Sequence, residues 1–482
     1  MSLVLPPAEL LIGGVWRSAE AGTIPVVNPS DGAEFATIGR GGARDIDAAV
    51  RAARAAVDGA WGRMAPAERG RLLMKLSHAV ADRHDSLAAL EVADTGKPMR
   101  QARADITALA RYFEYYAGAA DKVHGETIPY LHGYTVMTFR EALGVTGHII
   151  PWNYPAQILG RSLGAALAMG NAAVVKPAED ACLTVLAVGE LALEVGFPAG
   201  AVNIVTGYGE EAGAALASHG GIDHISFTGS PETGALVQAA AARHNRPVTM
   251  ELGGKSPQLV FADADLDAAY PVLVNAIIQN AGQTCSAGSR LLVEQRVYDR
   301  VLDAMAARFA ALQVGPADRD LDCGPVINAT QKERVEGFLA RAREDGLAVA
   351  ARGSIAANTP PGGFYVAPSL VADVPPSHEI AQQEVFGPVL AATPFKDEAE
   401  ALAIANGTEY GLVAGVWTAD GGRQLRLARG LQSGQVFVNN YGAGGGVELP
   451  FGGVKKSGFG REKGFEALHG FSTLKTVAVK HG

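Results

Sequence analysis

The chain is 482 residues long, 48% hydrophobic and 19% charged, which supplies apolar material for more than one sizeable core. A formal charge of −9 argues against binding nucleic acid through a basic surface. Three cysteines without paired spacing (Cys182, Cys285 and Cys323) exclude a disulfide scaffold and a cysteine-rich zinc site, and fit a reducing compartment. The 11 histidines are dispersed without ligand spacing, so no metal is expected. The N-terminus has no basic region followed by an apolar run. The uncharged stretch Ala142 to Gly160 is interrupted by prolines, Asn153 and Gln157. A soluble, cytoplasmic protein without membrane or nucleic-acid partners is the expectation.

In chain order, Ala43 to about Ala120 is rich in Ala, Leu, Arg and Glu, with Ile46, Ala49, Val50, Ala53 and Val57 at helical spacing. Tyr134–Arg140 alternates like a strand. From Val145 short apolar runs alternate with helix-length segments. Strands are expected at Val145–Ile150, Ala172–Val175, Val202–Val205, His224–Thr228 and Val248–Leu252, with helices at Ala156–Ala168, Cys182–Val195, Glu210–Ser218 and Glu232–Ala242. Such alternation predicts a parallel sheet covered on both faces. A second array follows Gly254, with strands at Gln258–Phe261, Arg290–Val293, Val389–Thr393, Leu412–Trp417 and Gln435–Asn439. The fold class is therefore α/β, with two consecutive doubly wound domains and a cleft between them. The C-terminal Ser472–Lys480 alternates again, and isolated edge strands usually need a partner.

Three segments carry candidate chemistry. Cys285 lies in Gly282-Gln283-Thr284-Cys285-Ser286, among small and polar residues, with a helix expected on its far side. Backbone N–H groups and a helix N-terminus favour a thiolate. On residues alone, a structural cysteine is an equal reading; Cys182 reads as a core residue and Cys323 as a loop residue. Glu251 ends an apolar strand in Glu251-Leu252-Gly253-Gly254-Lys255, where an unpaired carboxylate has a raised pKa suited to a base. Asn153, in Pro151-Trp152-Asn153-Tyr154-Pro155, offers an amide donor for an oxyanion, or simply shapes a loop between prolines. Phe227-Thr228-Gly229-Ser230-Pro231-Glu232-Thr233-Gly234 follows one strand and opens a helix, a turn whose N–H groups approach a pyrophosphate, although it is no G-x-G-x-x-G fingerprint.

Together these segments resemble the aldehyde dehydrogenase superfamily, in its NAD-dependent hydrolytic branch and close to broad-specificity and betaine-aldehyde-like members. Glu251 and Cys285 are 34 residues apart, as base and nucleophile are in that family, and the similarity runs from about Trp16 to Lys480. The resemblance implies that Cys285 is the nucleophile and Glu251 the water-activating base. The Asn153 amide and the Cys285 N–H would hold the oxyanion. Glu462, in the segment Pro450 to Glu462, would belong to a proton-exit route. For the cofactor, NAD, it implies Trp152, Phe227, Gly229, Ser230 and Thr233 against the dinucleotide, with Ile150, Gly209 and Leu252 nearby. Lys176 and Glu179 would meet the adenine ribose, and Glu384 and Phe386 the nicotinamide ribose and ring. An acidic Glu179 accepts from a free 2′-OH and repels a 2′-phosphate. Substrate contacts would come from Tyr154 and Arg161. The implied layout is an NAD-binding domain over residues 1–122 and 143–253, a catalytic domain over 254–453, and an oligomerisation segment over 123–142 and 468–482. In that segment strands from one subunit extend a neighbour's sheet in a homodimer or homotetramer; a hairpin within one chain is the alternative.

The sequence departs from its relatives in the substrate funnel. Arg161 stands where an aromatic residue is common, and would repel a trimethylammonium tail while accepting an aromatic, bulky or carboxylate-bearing aldehyde. The second arginine of a carboxylate clamp is absent, since Gln279 occupies that position. Ser162 replaces a lysine common in the proton-exit route, and Gly442-Ala443-Gly444-Gly445-Gly446 lacks bulk where relatives line the pocket. The alternatives are a betaine- or amino-aldehyde dehydrogenase, a CoA-acylating semialdehyde dehydrogenase, which typically lacks the base, and a catalytically silent binding protein of the same fold.

Overall fold

Short apolar runs and intervening helices fold into two large sheets in the computed structural model, which describes residues 3–442 and 446–482. Ala443, Gly444 and Gly445 of the glycine-rich stretch therefore lie outside the described residues. The first sheet has eight strands. Its parallel centre runs Val202–Ile204, Ala172–Pro177, Val145–Ile150, His224–Thr228 and Val248–Glu251, side by side in that order. Chain order therefore reverses between Val145–Ile150 and His224–Thr228, and doubly wound sheets bind ligands beyond the carboxyl ends of strands at such a switch point. These strands read as continuous apolar runs because helices such as Pro155–Met169 and Leu183–Glu194 cover them. Buried Leu159, Leu163, Val174 and Leu186 belong to the resulting core.

The second sheet has seven strands, with a parallel run through Ser369–Val371, Val389–Phe395, Arg290–Glu294, Pro257–Val260, Val413–Trp417 and Gln435–Val438. The mixed α/β architecture, with a Rossmann-like parallel sheet followed by a second parallel sheet, agrees with the alternation in the sequence.

Three features differ from the sequence reading. The three-residue strands Leu10–Ile12 and Val15–Arg17 form a hairpin that joins the first sheet antiparallel; they are too short to show a period. Gly458–Phe459 pairs antiparallel with Met250 and Glu251, closing the other edge of that sheet. The segment expected as one helix at Glu210–Ser218 starts as a π-turn at Gly209–Gly213 and becomes α-helical only at Ala214–Ser218, since glycines at 209 and 213 weaken regular helix.

Tyr134–Ala142 and Ser472–Lys480 pair antiparallel along nine residues each, and Thr127–Ile128 adds a third strand. Within the single chain the two alternating segments are thus each other's partners. No helix among the described residues is long and apolar enough to cross a membrane.

Candidate active site and cofactor cleft

A cleft of about 330 Å³ opens at the switch point, with Trp152, Asn153 and Gly229 on one side and Cys285, Glu384 and Phe386 on the other. The Trp152 and Phe386 rings meet edge to face across it, 5.4 Å between centroids.

The loop that presents Cys285 is set by backbone conformation. After the helix Leu266–Ile278, Asn280, Ala281 and Gly282 take φ of +50°, +52° and +75° and turn the chain back. A Cβ on Gly282 would lie 2.2 Å from the Gly387 backbone, so the Cys285 loop and the segment after Phe386 pack together only because residue 282 is glycine. Buried Gln283 fixes the loop: its Nε2 donates to the Asn280 carbonyl (3.1 Å) and its Oε1 accepts from Ile327 N–H (2.9 Å). The helix expected on the far side of Cys285 is absent; the chain passes from a turn into the strand Arg290–Glu294, so no helix N-terminus favours the thiolate. Burial pushes the Cys285 thiol up to about 12, against which Arg161 is the leading opposing influence. Cys182 and Cys323 are buried and serve as small core residues.

Asn153 is held from both ends. Its Nδ2 donates to the Gln283 carbonyl (3.0 Å), which leaves one amide hydrogen uncommitted. Its own carbonyl accepts from Asn280 Nδ2 (2.8 Å) and from Lys97 Nζ (3.1 Å). Lys97 is buried between Glu91 (3.0 Å) and Asp105 (2.6 Å), with its ammonium 4.4 Å from the centroid of the Tyr154 ring. The Tyr154 hydroxyl is 3.0 Å from Thr284 Oγ1, next in sequence to Cys285, and burial raises its pKa. The sequence reading missed Lys97, since its partners come from other helical positions without motif spacing.

Glu251 is fully buried, and both its carboxylate oxygens lack a hydrogen-bond partner. Burial raises its pKa well above the carboxylate range; Glu462 raises it further, and Arg161, Arg461 and Lys463 oppose. A Cβ on Gly452 would come within 2.7 Å of Glu251 Oε1, so the 452 segment passes this carboxylate as bare backbone.

Arg161 differs from its expected role. Its guanidinium is not a cation presented to the funnel: Nε is ion-paired with Glu462 Oε2, one terminal nitrogen donates to Thr228 Oγ1 (3.1 Å), and the group lies 5.1 Å from the Phe451 ring centroid. The physical reason is burial of both partners, because a desolvated guanidinium needs a desolvated carboxylate. Glu462 also accepts from Ser226 Oγ (2.6 Å). Ser162 contacts His148 Nδ1 instead (3.1 Å).

The remaining residues fit a dinucleotide. Ser230 caps the helix Pro231–Ala242 through Thr233 N–H (3.2 Å), which turns that helix N-terminus toward the cleft rim. Phe227 is buried beneath, and a Cβ on Gly229 would strike its ring at 2.5 Å. Lys176 Nζ pairs with Glu179 Oε2 (2.8 Å) at the end of Ala172–Pro177, next to the strand ending in Ile150. Gly209 starts the π-turn, and Leu252 packs where a Cβ on Gly234 would fall. Glu384 Oε1 accepts from Gly254 N–H (3.0 Å), and burial pushes its pKa up to about 7. Gln331 and Arg334 line the same cleft and bond the Phe386 and Glu384 carbonyls; no motif in the sequence singles them out. Among the described residues, no group of three or more His, Cys, Asp or Glu is placed to hold a metal ion.

Comparison with known proteins places these observations in a family. The family model described as "Aldehyde dehydrogenase family" matches residues 16–477. A crystal structure of a provisionally assigned aldehyde dehydrogenase from Burkholderia cenocepacia is 67% identical and superposes with a TM-score of 0.98, over 98% of this chain and all of that one. An NAD⁺ complex of an aldehyde dehydrogenase from Bacillus cereus is 39% identical with a TM-score of 0.95, covering 98% of this chain and 96% of that one. The hydroxyisobutyraldehyde dehydrogenase of Mycolicibacterium austroafricanum is 42% identical over 475 residues, 98% of this chain and 94% of its own.

Proposed function

Since the chain belongs to the aldehyde dehydrogenase family and is an NAD-dependent oxidoreductase, we propose that it converts an aldehyde into the free carboxylic acid by way of a thioester on Cys285. The observation that carries the hydrolytic half is Glu251, a buried carboxylate with both oxygens unpartnered beside the nucleophile cleft. An orphaned carboxylate is costly to bury, and a raised pKa makes it a stronger proton acceptor, once ionised, than an ordinary carboxylate.

In this reading Cys285, which is partly exposed in the cleft, first loses its thiol proton to solvent. The thiolate then adds to the aldehyde carbon, while the free Asn153 amide hydrogen and the Cys285 N–H receive the developing oxyanion. When bound in the cleft, NAD would supply the acceptor for the hydride that leaves that carbon. Cys285 then carries an acyl thioester. Water gives a proton to Glu251 as its oxygen bonds to the acyl carbon, the C–S bond breaks to release the acid and the Cys285 thiolate, and Glu251 then gives its proton up to solvent. The Lys97 cluster fixes the backbone of Asn153. Glu384 and Phe386 would hold the nicotinamide end, and Lys176 and Glu179 the adenine ribose.

The substrate reading is an uncharged aldehyde with an aromatic or bulky apolar tail. Phe437, Tyr441 and Phe451 gather with Cys285 in one apolar cluster, and the Phe451 face is already covered by the Arg161 guanidinium. A trimethylammonium tail would have to displace that cation, and a substrate carboxylate would compete with Glu462 for it. Aromatic aldehydes are therefore expected to exceed betaine aldehyde in kcat/KM by about tenfold or more, the scale of one lost cation–π site. A panel of aliphatic, aromatic, ω-carboxylate and ω-amino aldehydes, assayed without CoA and with the acid product quantified, tests both claims. Betaine aldehyde heading that order would overturn the substrate reading, and NADH production that required CoA would overturn the hydrolytic one.

NAD should be favoured over NADP through Glu179. Replacing it, Glu179→Ser, is expected to narrow the preference at least about fivefold, the scale of one exposed charge–charge repulsion. Steady-state kinetics with both cofactors measures this; an unchanged ratio removes Glu179 from the ribose site. A homo-oligomer is the proposed assembly, supported by exposed Ile128, Phe139, Leu474 and Val479 on the three-stranded sheet. The proposed compartment is the cytoplasm, supported by cysteines left unpaired.

A further inference from the structure

Two buried carboxylates and their cations stand together behind the nucleophile. We propose that Arg161 is a positioning residue for the hydrolytic step: by pairing with Glu462 and facing Glu251, it keeps the base ionisable in a site that would otherwise hold two desolvated carboxylates. The proposal rests on Glu251 being the base, and it replaces the substrate-contact role for this arginine.

The geometry carries it. Arg161 and Glu462 are ion-paired with essentially no exposure, and the guanidinium is fixed from its other sides by Thr228 Oγ1 and the Phe451 ring. Glu462 is fixed in turn by Ser226 Oγ. Glu251 has no hydrogen bond to stabilise either protonation state, so charges at a distance decide which state it holds. Thr228, which holds Arg161, is the register neighbour of Glu251 on the adjacent parallel strand, and Ser226, which holds Glu462, lies two residues before Thr228 on the same face. Glu462 disfavours the ionisation of Glu251, and Arg161, Arg461 and Lys463 favour it. Arg161 leads that favourable set, and it also faces Cys285 and Tyr112. Lys463 lies over the Phe451 and Tyr112 rings at 5.2 and 5.9 Å and shares the same pocket. The Glu251 carboxylate and Cys285 thiol have pKa values raised by burial, and the same guanidinium opposes both shifts.

The sign follows directly. Glu251 accepts a proton only when ionised, so a higher pKa moves the rising limb of the hydrolysis rate to higher pH. Loss of the guanidinium removes a favourable charge and leaves Glu462 uncompensated beside Glu251. Arg161→Gln is therefore expected to shift the limb of steady-state turnover upward by about one pH unit, a roughly tenfold loss at its foot. The first-turnover NADH burst should keep its parental amplitude but form more slowly, because the same loss raises the Cys285 thiol, and the order of preference among aldehydes should not change. Arg161→Lys keeps the charge and should restore a limb close to the parental one. Stopped-flow NADH absorbance from pH 6 to 10 on both variants reads limb and burst together. An unmoved limb in Arg161→Gln, or an equal shift in both variants, overturns the proposal; so does a reordered substrate preference with the limb in place. Should Arg161→Gln give no burst because it fails to fold, the lysine variant decides alone: a parental limb supports the proposal and a shifted one overturns it. Failure of the underlying reading looks different, since Glu251→Gln would then keep parental steady-state turnover.

Discussion

Cys285→Ala is expected to lower NADH production by on the order of 10⁴-fold or more, while NAD binding stays within about twofold of the parent. The asymmetry follows from where the sulfur sits. It lies on one wall of the cleft, and the residues proposed to bind the dinucleotide are anchored elsewhere: Glu384 on Gly254 N–H, Lys176 on Glu179, and Ser230 on its own helix. Removing one sulfur from a loop fixed by Gln283 and by the φ > 0 run at 280–282 disturbs none of them. No other residue can take over. Cys182 and Cys323 are buried in other parts of the core, and burial raises the pKa of both. Calorimetric titration with NAD beside an NADH absorbance assay measures the two halves. Residual turnover within tenfold of the parent would show that Cys285 is not the nucleophile.

The legible and illegible parts of this site divide along physical lines. Val145–Ile150 and His224–Thr228 have the ends that their apolar runs predict, because each is bounded by Gly, Pro or Asp, and Ser472–Lys480 has those that its alternation predicts. The sheet order, and with it the switch point where Trp152, Gly229 and Asn153 converge, was not legible, because chain order alone does not fix which strands lie side by side. Pairings between distant segments were not legible. Nothing near Arg161 points to Glu462, 301 positions away, so a lone arginine in a funnel reads as a substrate contact until the fold supplies its partner. Lys97 is hidden in the same way, its partner Asn153 lying 56 positions away, and so are Gln331 and Arg334, whose carbonyl partners lie 55 and 50 positions away. The helix expected beyond Cys285 failed because Gly282 and Gly288 flank a turn that feeds a strand, and small residues alone do not distinguish a helix start from a strand approach.

Glu251→Gln separates the two halves of the reaction. The substitution is nearly isosteric, and it replaces an acceptor of protons by an amide that cannot take one. Thiol addition and hydride loss do not need the base after the thiolate has formed, so NADH from the first turnover should appear with nearly full amplitude. Hydrolysis does need it, and steady-state turnover is expected to fall by about 10²–10⁴-fold, the range for a lost general base. The acyl group should then accumulate on the enzyme. Mass spectrometry of Glu251→Gln, quenched in acid after one turnover with NAD and an aromatic aldehyde, reads that directly. The expected result is a single acyl adduct on the peptide containing Cys285, in amount equal to the NADH burst; an unmodified Cys285 with NADH formed would contradict a thioester intermediate.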